Sequence, residues 1–232
     1  MQLNSIGESI WLIEGEIVNF YGFPYPTRCI VIKLHNDDLW VWSPTTLTEQ
    51  LINEVNTLGR VAHLVSPNKI HNLYLKDWKD AYPDALLWGP DSTIRKRPDL
   101  SFQTPLTEHS PSQWRDEIDQ IWFRGSPAMD EIVFFHHLSS TAILADLSEN
   151  FSAEFLRDHW SPWKRTIARL WKIVEGYGYA PLEWRLSWFN RSPARAALKK
   201  LLGLNPTRII MAHGVWQQDN GREYLKKAFA WL

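Results

Sequence analysis

The chain has 232 residues, 44% of them hydrophobic and 22% charged, with 25 Lys and Arg against 26 Asp and Glu. That length buries a sizeable core without disulfide or metal staples, and the near-neutral balance argues against a protein built mainly to hold nucleic acid; a small-molecule ligand is a candidate partner. The single cysteine, Cys29, excludes an internal disulfide and a Cys-rich zinc module and fits a reducing, cytoplasmic setting, while no run nears the roughly 18–20 apolar residues of a membrane span.

The first 45 residues read as β structure. Ile10–Val18 and Cys29–Leu34 are strand-like, with the Pro- and Gly-containing YGFPYPT expected as a loop between them. CIVIKL, HNDD and LWVWS spell strand, turn and strand. The period then changes: Leu47, Leu51, Val55 and Leu58 fall on one helical face, Thr46 with Glu49 suggests a capping box, and Gly59 follows as a stop. Val61–Val65 reads as a strand and 71–81 as a helix ended by Tyr82-Pro83. Ala85–Trp88 is a further strand, and the polar stretch 90–112 is expected as a surface loop.

Glu131–Phe135 and Thr141–Ala145 form the next strand pair, joined by HHLSS. The region 151–203 reads as a Trp-rich helical insertion. Ser161-Pro162 opens one helix, with Trp163, Ile167, Leu170, Trp171 and Val174 expected to pack in the core, and Ser192-Pro193 opens another. Arg208–Ala212 is a last strand before a C-terminal helix carrying Leu225, Ala228 and Phe229. Strands and helices mix in both halves, so the expected architecture is one α/β domain over residues 1–232, with two packed sheets and helices outside.

Chemistry-bearing residues gather where strands give way to loops: His71, the pair His136 and His137, Asp146 and His213. Ligands in α/β proteins sit beyond the carboxyl ends of strands, and imidazole with carboxylate suits zinc, iron or manganese. Ser139 and Ser140 beside the His pair lack a G-x-S-x-G nucleophile elbow.

The order of SPNKIH, FFHHLSSTAILADL and MAHG resembles the metallo-β-lactamase superfamily, and the spelling is closest to a divergent, uncharacterised branch with a degenerate metal motif. The resemblance implies an αββα sandwich. Aligned on its last residue, the family's H-x-H-x-D-H loop becomes Ser66, Asn68, Ile70 and His71. Its later His falls on His136, with His137 as second candidate, its bridging carboxylate on Asp146, and its last His on His213. Two of the three ligands for one metal are thereby Ser66 and Asn68, and the carboxylate that orients the attacking water is Ile70. The resemblance therefore implies at most a mononuclear metal-dependent hydrolase or related lyase. Its ion would be zinc, iron or manganese on His71, Asp146 and His213, with His136 as a further candidate and Ser66, Asn68, Ile70 and His137 around the pocket. A non-catalytic binding or structural protein, with or without metal, is the alternative.

Overall fold

The structure is a computed structural model that describes residues 2–232. Six strands, β1 (Leu3–Gly7), β2 (Ile10–Phe20), β3 (Phe23–Lys33), β4 (Asp38–Trp42), β5 (Arg60–Val65) and β6 (Leu86–Trp88), form one sheet in sequential order. Strands β7 (Ile118–Phe123), β8 (Glu131–His136), β9 (Thr141–Asn150) and β10 (Arg208–Gly214) form the second, in the order β10-β9-β8-β7. The pairs β4–β5, β5–β6 and β9–β10 are parallel; the others are antiparallel.

Strand alternation builds the layers. In β4, Trp40 and Trp42 face the second sheet, whereas Leu39 and Val41 face outward onto α1 (Glu49–Leu58) and α2 (Leu75–Ala81). In β9, Ile143 and Ala145 point between the sheets, whereas Ala142 and Leu144 pack towards α7 (Ser192–Gly203) and α8 (Gly221–Ala228). Strands covered on both faces lose the polar alternation of a half-exposed strand, which is why LWVWS and AILA read as unbroken apolar runs. The result is the αββα sandwich implied above. A fourth aromatic cluster, around Phe151, Trp160 and Ile173, ties α4 (Ala153–His159) and α5 (Pro162–Trp171) to Phe23 and Tyr25 of β3.

Several elements differ from the sequence reading. YGFPYPT is mostly strand: β2 and β3 pair as far as Phe20 and Phe23, and the turn is Tyr21-Gly22, both at positive φ. Pro24 and Pro26 are tolerated because β4 pairs only with Ile30–Lys33, so this arm of β3 has a free edge. Its carbonyls instead accept from side chains, Pro24 from Trp160 Nε1 (2.8 Å) and Pro26 from His213 Nδ1 (2.7 Å).

Helix α1 is capped by Thr48, whose hydroxyl accepts from Leu51 N, and not by Thr46. Gly59 is extended there; its missing side chain makes room for the Asp37 carbonyl, 2.3 Å from where a Cβ would stand. Helix α2 begins at Leu75, four residues beyond His71, because the preceding loop is held by its own side chains. The stretch 90–112 contains α3 (Asp91–Lys96). Strand β7, unread in the sequence, was concealed by the polar Asp119 and Gln120 within it. Strand β9 runs ten residues, so Asp146 lies inside it, not at its end.

The helical stretch divides. Helix α7 covers the second sheet, whereas the apolar face expected of α5 is split: Trp171 and Val174 pack partly buried with Ala168 in the fourth cluster and Ile167 is half-buried, but Trp163 and Leu170 are 59% and 73% exposed. Cys29 is a buried core residue, and burial pushes its thiol well above the ordinary range.

Candidate metal centre

Three segments converge at one edge of the sandwich. After β5 the chain turns sharply through Ser66–His71. The Ser66 hydroxyl lies 2.8 and 2.7 Å from the carbonyls of Asn68 and His71, and Asn68 Oδ1 accepts from the backbone N–H groups of Ile70 and His71. Short side chains that bond their own backbone favour such a turn over immediate helix. It delivers His71 beside Asp146 of β9, and the β9–β10 ladder is irregular between Met211 and His213, where His213 joins them.

The two imidazoles flank the carboxylate. His71 Nε2 lies 3.1 Å from Asp146 Oδ2, and His213 Nε2 lies 3.2 Å from Asp146 Oδ1. One ligand atom from each residue fits within a 4.8 Å span, and all three side chains are buried. The remaining ring nitrogens are anchored: His213 Nδ1 on the Pro26 carbonyl, His71 Nδ1 on the Ser43 hydroxyl at 2.7 Å. Trp42 stacks on His71 at 5.9 Å, and Tyr25 meets His213 edge-on at 4.9 Å.

This arrangement suits a protonated imidazole or a bound cation. A carbonyl only accepts, so His213 Nδ1 carries its proton. A neutral His213 then turns the Nε2 lone pair towards Asp146, and lone pair against carboxylate is repulsive unless a proton or a metal ion lies between. His71 Nε2 is a buried polar atom without a well-aligned hydrogen bond. Two imidazole nitrogens, each oriented by a partner on its other side, and one carboxylate are a fitting donor set for zinc, iron or manganese.

Electrostatics agree with the geometry. Burial alone would raise the Asp146 pKa, but the His71 and His213 rings override it and hold the carboxyl well below the usual carboxylate range. Burial opposes charging of His71, yet the negative charge of the adjacent Asp146, with Glu131 behind, raises its pKa.

Beside this trio stands a group that the sequence reading did not assign to the site. Glu131 opens β8 and is fully buried; it accepts from the backbone N–H groups of Ala145 (2.8 Å) and Asp146 (2.9 Å). Asn68 Nδ2 donates to Glu131 Oε2 at 3.1 Å and to Asp146 Oδ2 at 2.8 Å. An amide nitrogen has no lone pair for a metal; the Asn68 amide links the two carboxylates by hydrogen bonds. Burial and the charge of Asp146 push the Glu131 pKa up to about 7, with the two backbone N–H groups pulling the other way. The one signal in the sequence was a charged residue at the head of the otherwise apolar IVFF.

His136 and His137 are not brought to this centre. Glu131 marks the near end of β8, and His136 lies five residues along it, about 16 Å away at strand rise. There His136 bonds Ser139, and burial, aided by nearby His137 and His35, holds its pKa at about 4. His137 faces solvent beside Asp119. The reading from HH in sequence failed because strand direction, not residue type, decides which end a histidine reaches.

The trio opens into a cavity of about 290 Å³. Ile70, Leu73, Phe20 and Trp184 are among its apolar lining residues, and Glu149, Glu183 and Lys96 among its charged ones. Ser66 and Asn68 are buried behind the loop and are not among its lining residues. Glu149 is buried with Tyr25 as its hydrogen-bond donor (3.3 Å), and burial raises its pKa well above the ordinary value.

Residues 7–155 match the model of the family described as Domain of unknown function (DUF4336). No curated protein sequence matches the chain. Among solved structures, DIM-1 metallo-β-lactamase exposed to ceftazidime is similar with a TM-score of 0.66 at 14% identity, over 98% of this chain and 95% of that one. FIM-1 metallo-β-lactamase from Pseudomonas aeruginosa, in its mono-zinc form, gives 0.61 at 12% identity, over 100% and 96% of the two chains. The Flv1 flavodiiron core from Synechocystis sp. PCC6803 gives 0.63 at 12% identity, over 99% of this chain and 60% of that one. These likenesses show that the chain has the metallo-β-lactamase fold.

Proposed function

This chain belongs to the DUF4336 family and has the metallo-β-lactamase fold, and from that premise we propose that it is a one-metal member of the fold acting on a small molecule held in the adjoining cavity. The observation that supports this most directly is the His213 ring: Nδ1 is committed to the Pro26 carbonyl while Nε2 faces Asp146 Oδ1 at 3.2 Å. His71, Asp146 and His213 would hold the ion. The buried Asn68 amide between Glu131 and Asp146 supports a count of one, not two.

The reaction class this reading favours is hydrolysis. A divalent cation supplies Lewis acidity and lowers the pKa of water. Ser43 and Pro26 orient the two imidazoles; Ile70, Phe20 and Trp184 keep the cavity partly dry; Glu149 and Glu183 offer carboxyl groups on its wall. A second reading, ligand binding without turnover, draws support from Ile70, which can neither accept a proton nor orient water.

Metal content by mass spectrometry, on protein purified without added metal or a histidine tag, tests the proposal. About one ion per chain is expected in the wild type, lost in His213→Ala. Two ions per chain, or an unchanged ratio in His213→Ala, would overturn it. Ester, thioester and phosphodiester substrates then separate the readings: turnover abolished by His213→Ala supports the hydrolase, and metal without turnover supports the binding protein.

A further inference from the structure

Two apolar residues of the helix read as core-facing, Trp163 and Leu170, are left exposed beside the β2–β3 hairpin, while Trp171 and Val174 pack inward. Trp163 and Leu170 are 59% and 73% exposed, and seven residues apart they share one side of α5. At the hairpin tip Phe20 and Tyr21 are 39% and 88% exposed, their rings 4.8 Å apart. Lys164 joins the two: its ammonium donates to the Gly22 carbonyl and lies 4.9 Å from the Phe23 ring and 5.5 Å from the Trp163 ring.

The charge on α5 itself has one sign. Helix α5, PWKRTIARLW, carries Lys164, Arg165 and Arg169 and no acidic residue, and Lys172 follows at its end. The acids flanking it are Glu154 and Asp158 on α4, the latter engaged by Arg157, Glu175 beyond the helix and Glu16 on β2. Nothing in a net charge of −1 for the whole chain requires this local excess. Exposed tryptophan, tyrosine and leucine beside lysine and arginine are the composition of an interfacial element, with aromatic rings entering the headgroup region and cations meeting anionic lipid.

We propose that the β2–β3 hairpin tip and the outer side of α5 dock this protein onto an anionic lipid bilayer. Val18 and Phe20 of the same hairpin also line the cavity, so docking brings the cavity mouth to the lipid surface. Charge complementarity selects the bilayer over a second copy of the chain, since two copies would set one basic helix against another.

Co-sedimentation of the full chain with vesicles tests this. Binding is expected to phosphatidylglycerol vesicles and not to pure phosphatidylcholine vesicles, with the bound fraction falling as salt is raised. The double substitution Trp163→Ser with Leu170→Ser, and separately Arg169→Glu, should each weaken binding about tenfold or more, given roughly 1 kcal/mol per basic residue at such a surface. Circular dichroism and metal content should stay unchanged. Arg169 is exposed, so its replacement keeps the test valid if the double variant fails to fold. Absence of binding to phosphatidylglycerol, or equal binding by Arg169→Glu, would overturn the proposal. So would a concentration-dependent dimer, without vesicle binding, that Trp163→Ser with Leu170→Ser disperses.

Discussion

The side-chain amide of Asn68 donates to Oδ2 of Asp146 at 2.8 Å, the same oxygen that lies 3.1 Å from Nε2 of His71. One carboxylate oxygen is thus shared between the loop after β5 and the histidine that loop delivers. Replacing Asn68 by Asp keeps the shape but removes the two donated protons, leaving three carboxyl groups in contact. Asn68→Asp is expected to destabilise the metal-free protein by about 3–5 kcal/mol, the usual cost of an uncompensated buried charge, and to recover part of that on adding zinc. Thermal midpoints with chelator and with zinc measure both. A variant as stable as wild type in chelator would count against this account.

Restoring the family's loop wholesale should fail for a related reason. Ser66 is fully buried, its hydroxyl against two backbone carbonyls. Ser66→His inserts a ring where no space remains, so the triple variant Ser66→His, Asn68→His, Ile70→Asp is expected to lose stability by an overpacking cost of about 1–3 kcal/mol or more. Urea unfolding checks this, and a stable triple variant binding two ions would contradict it.

Ser43 orients His71 without reaching the proposed ion. Ser43→Ala should lower metal affinity by roughly 10–100-fold while changing stability by about 1 kcal/mol. A zinc titration against a competing chelator reads the first and urea unfolding the second. Unaltered affinity would show that the Ser43 contact is incidental.

Glu131 secures the strand on which Asp146 sits. Glu131→Ala strips the acceptor from two backbone N–H groups and the Asn68 amide. At about 1–3 kcal/mol for each buried donor left unpaired, a loss of roughly 3 kcal/mol or more is expected. Its denaturant midpoint gives the answer, and a loss below about 1 kcal/mol would mean that water or another side chain takes its place.

The pH response of His136 has a definite sign. Burial holds its folded pKa at about 4, against an ordinary value of 6.5. Between those values the unfolded chain binds the extra proton, so His136 removes stability as pH falls through the window, up to about 3 kcal/mol in all. Glu131 and Glu149, with raised pKa values, act in the opposite sense as pH rises. The comparison with His136→Gln isolates the histidine. The variant should be the less stable near pH 7, and the gap should narrow by about 2 kcal/mol near pH 4.5. A constant gap in urea midpoints would show that His136 already ionises in the folded state.

The sequence by itself determined the layered α/β class and most elements, because strands such as β4 and β9, covered on both faces, must be written as apolar runs. It also singled out His71, Asp146 and His213, through the resemblance carried by SPNKIH, ILADL and MAHG, although Asp146 lies inside its strand and not at the end. Periodicity without context misjudged Trp163 and Leu170: a helical stripe of apolar residues reads the same whether it meets core or solvent. Only the tertiary structure decided which end of a strand each side chain occupies, and so separated Glu131 at the centre from His136 about 16 Å away. It alone supplied the long-range bonds, Pro26 to His213 and Asn68 to Asp146. Hydrogen bonds between residues far apart in the chain leave no local spacing to read; they exist only once two sheets have packed and fixed which loops meet.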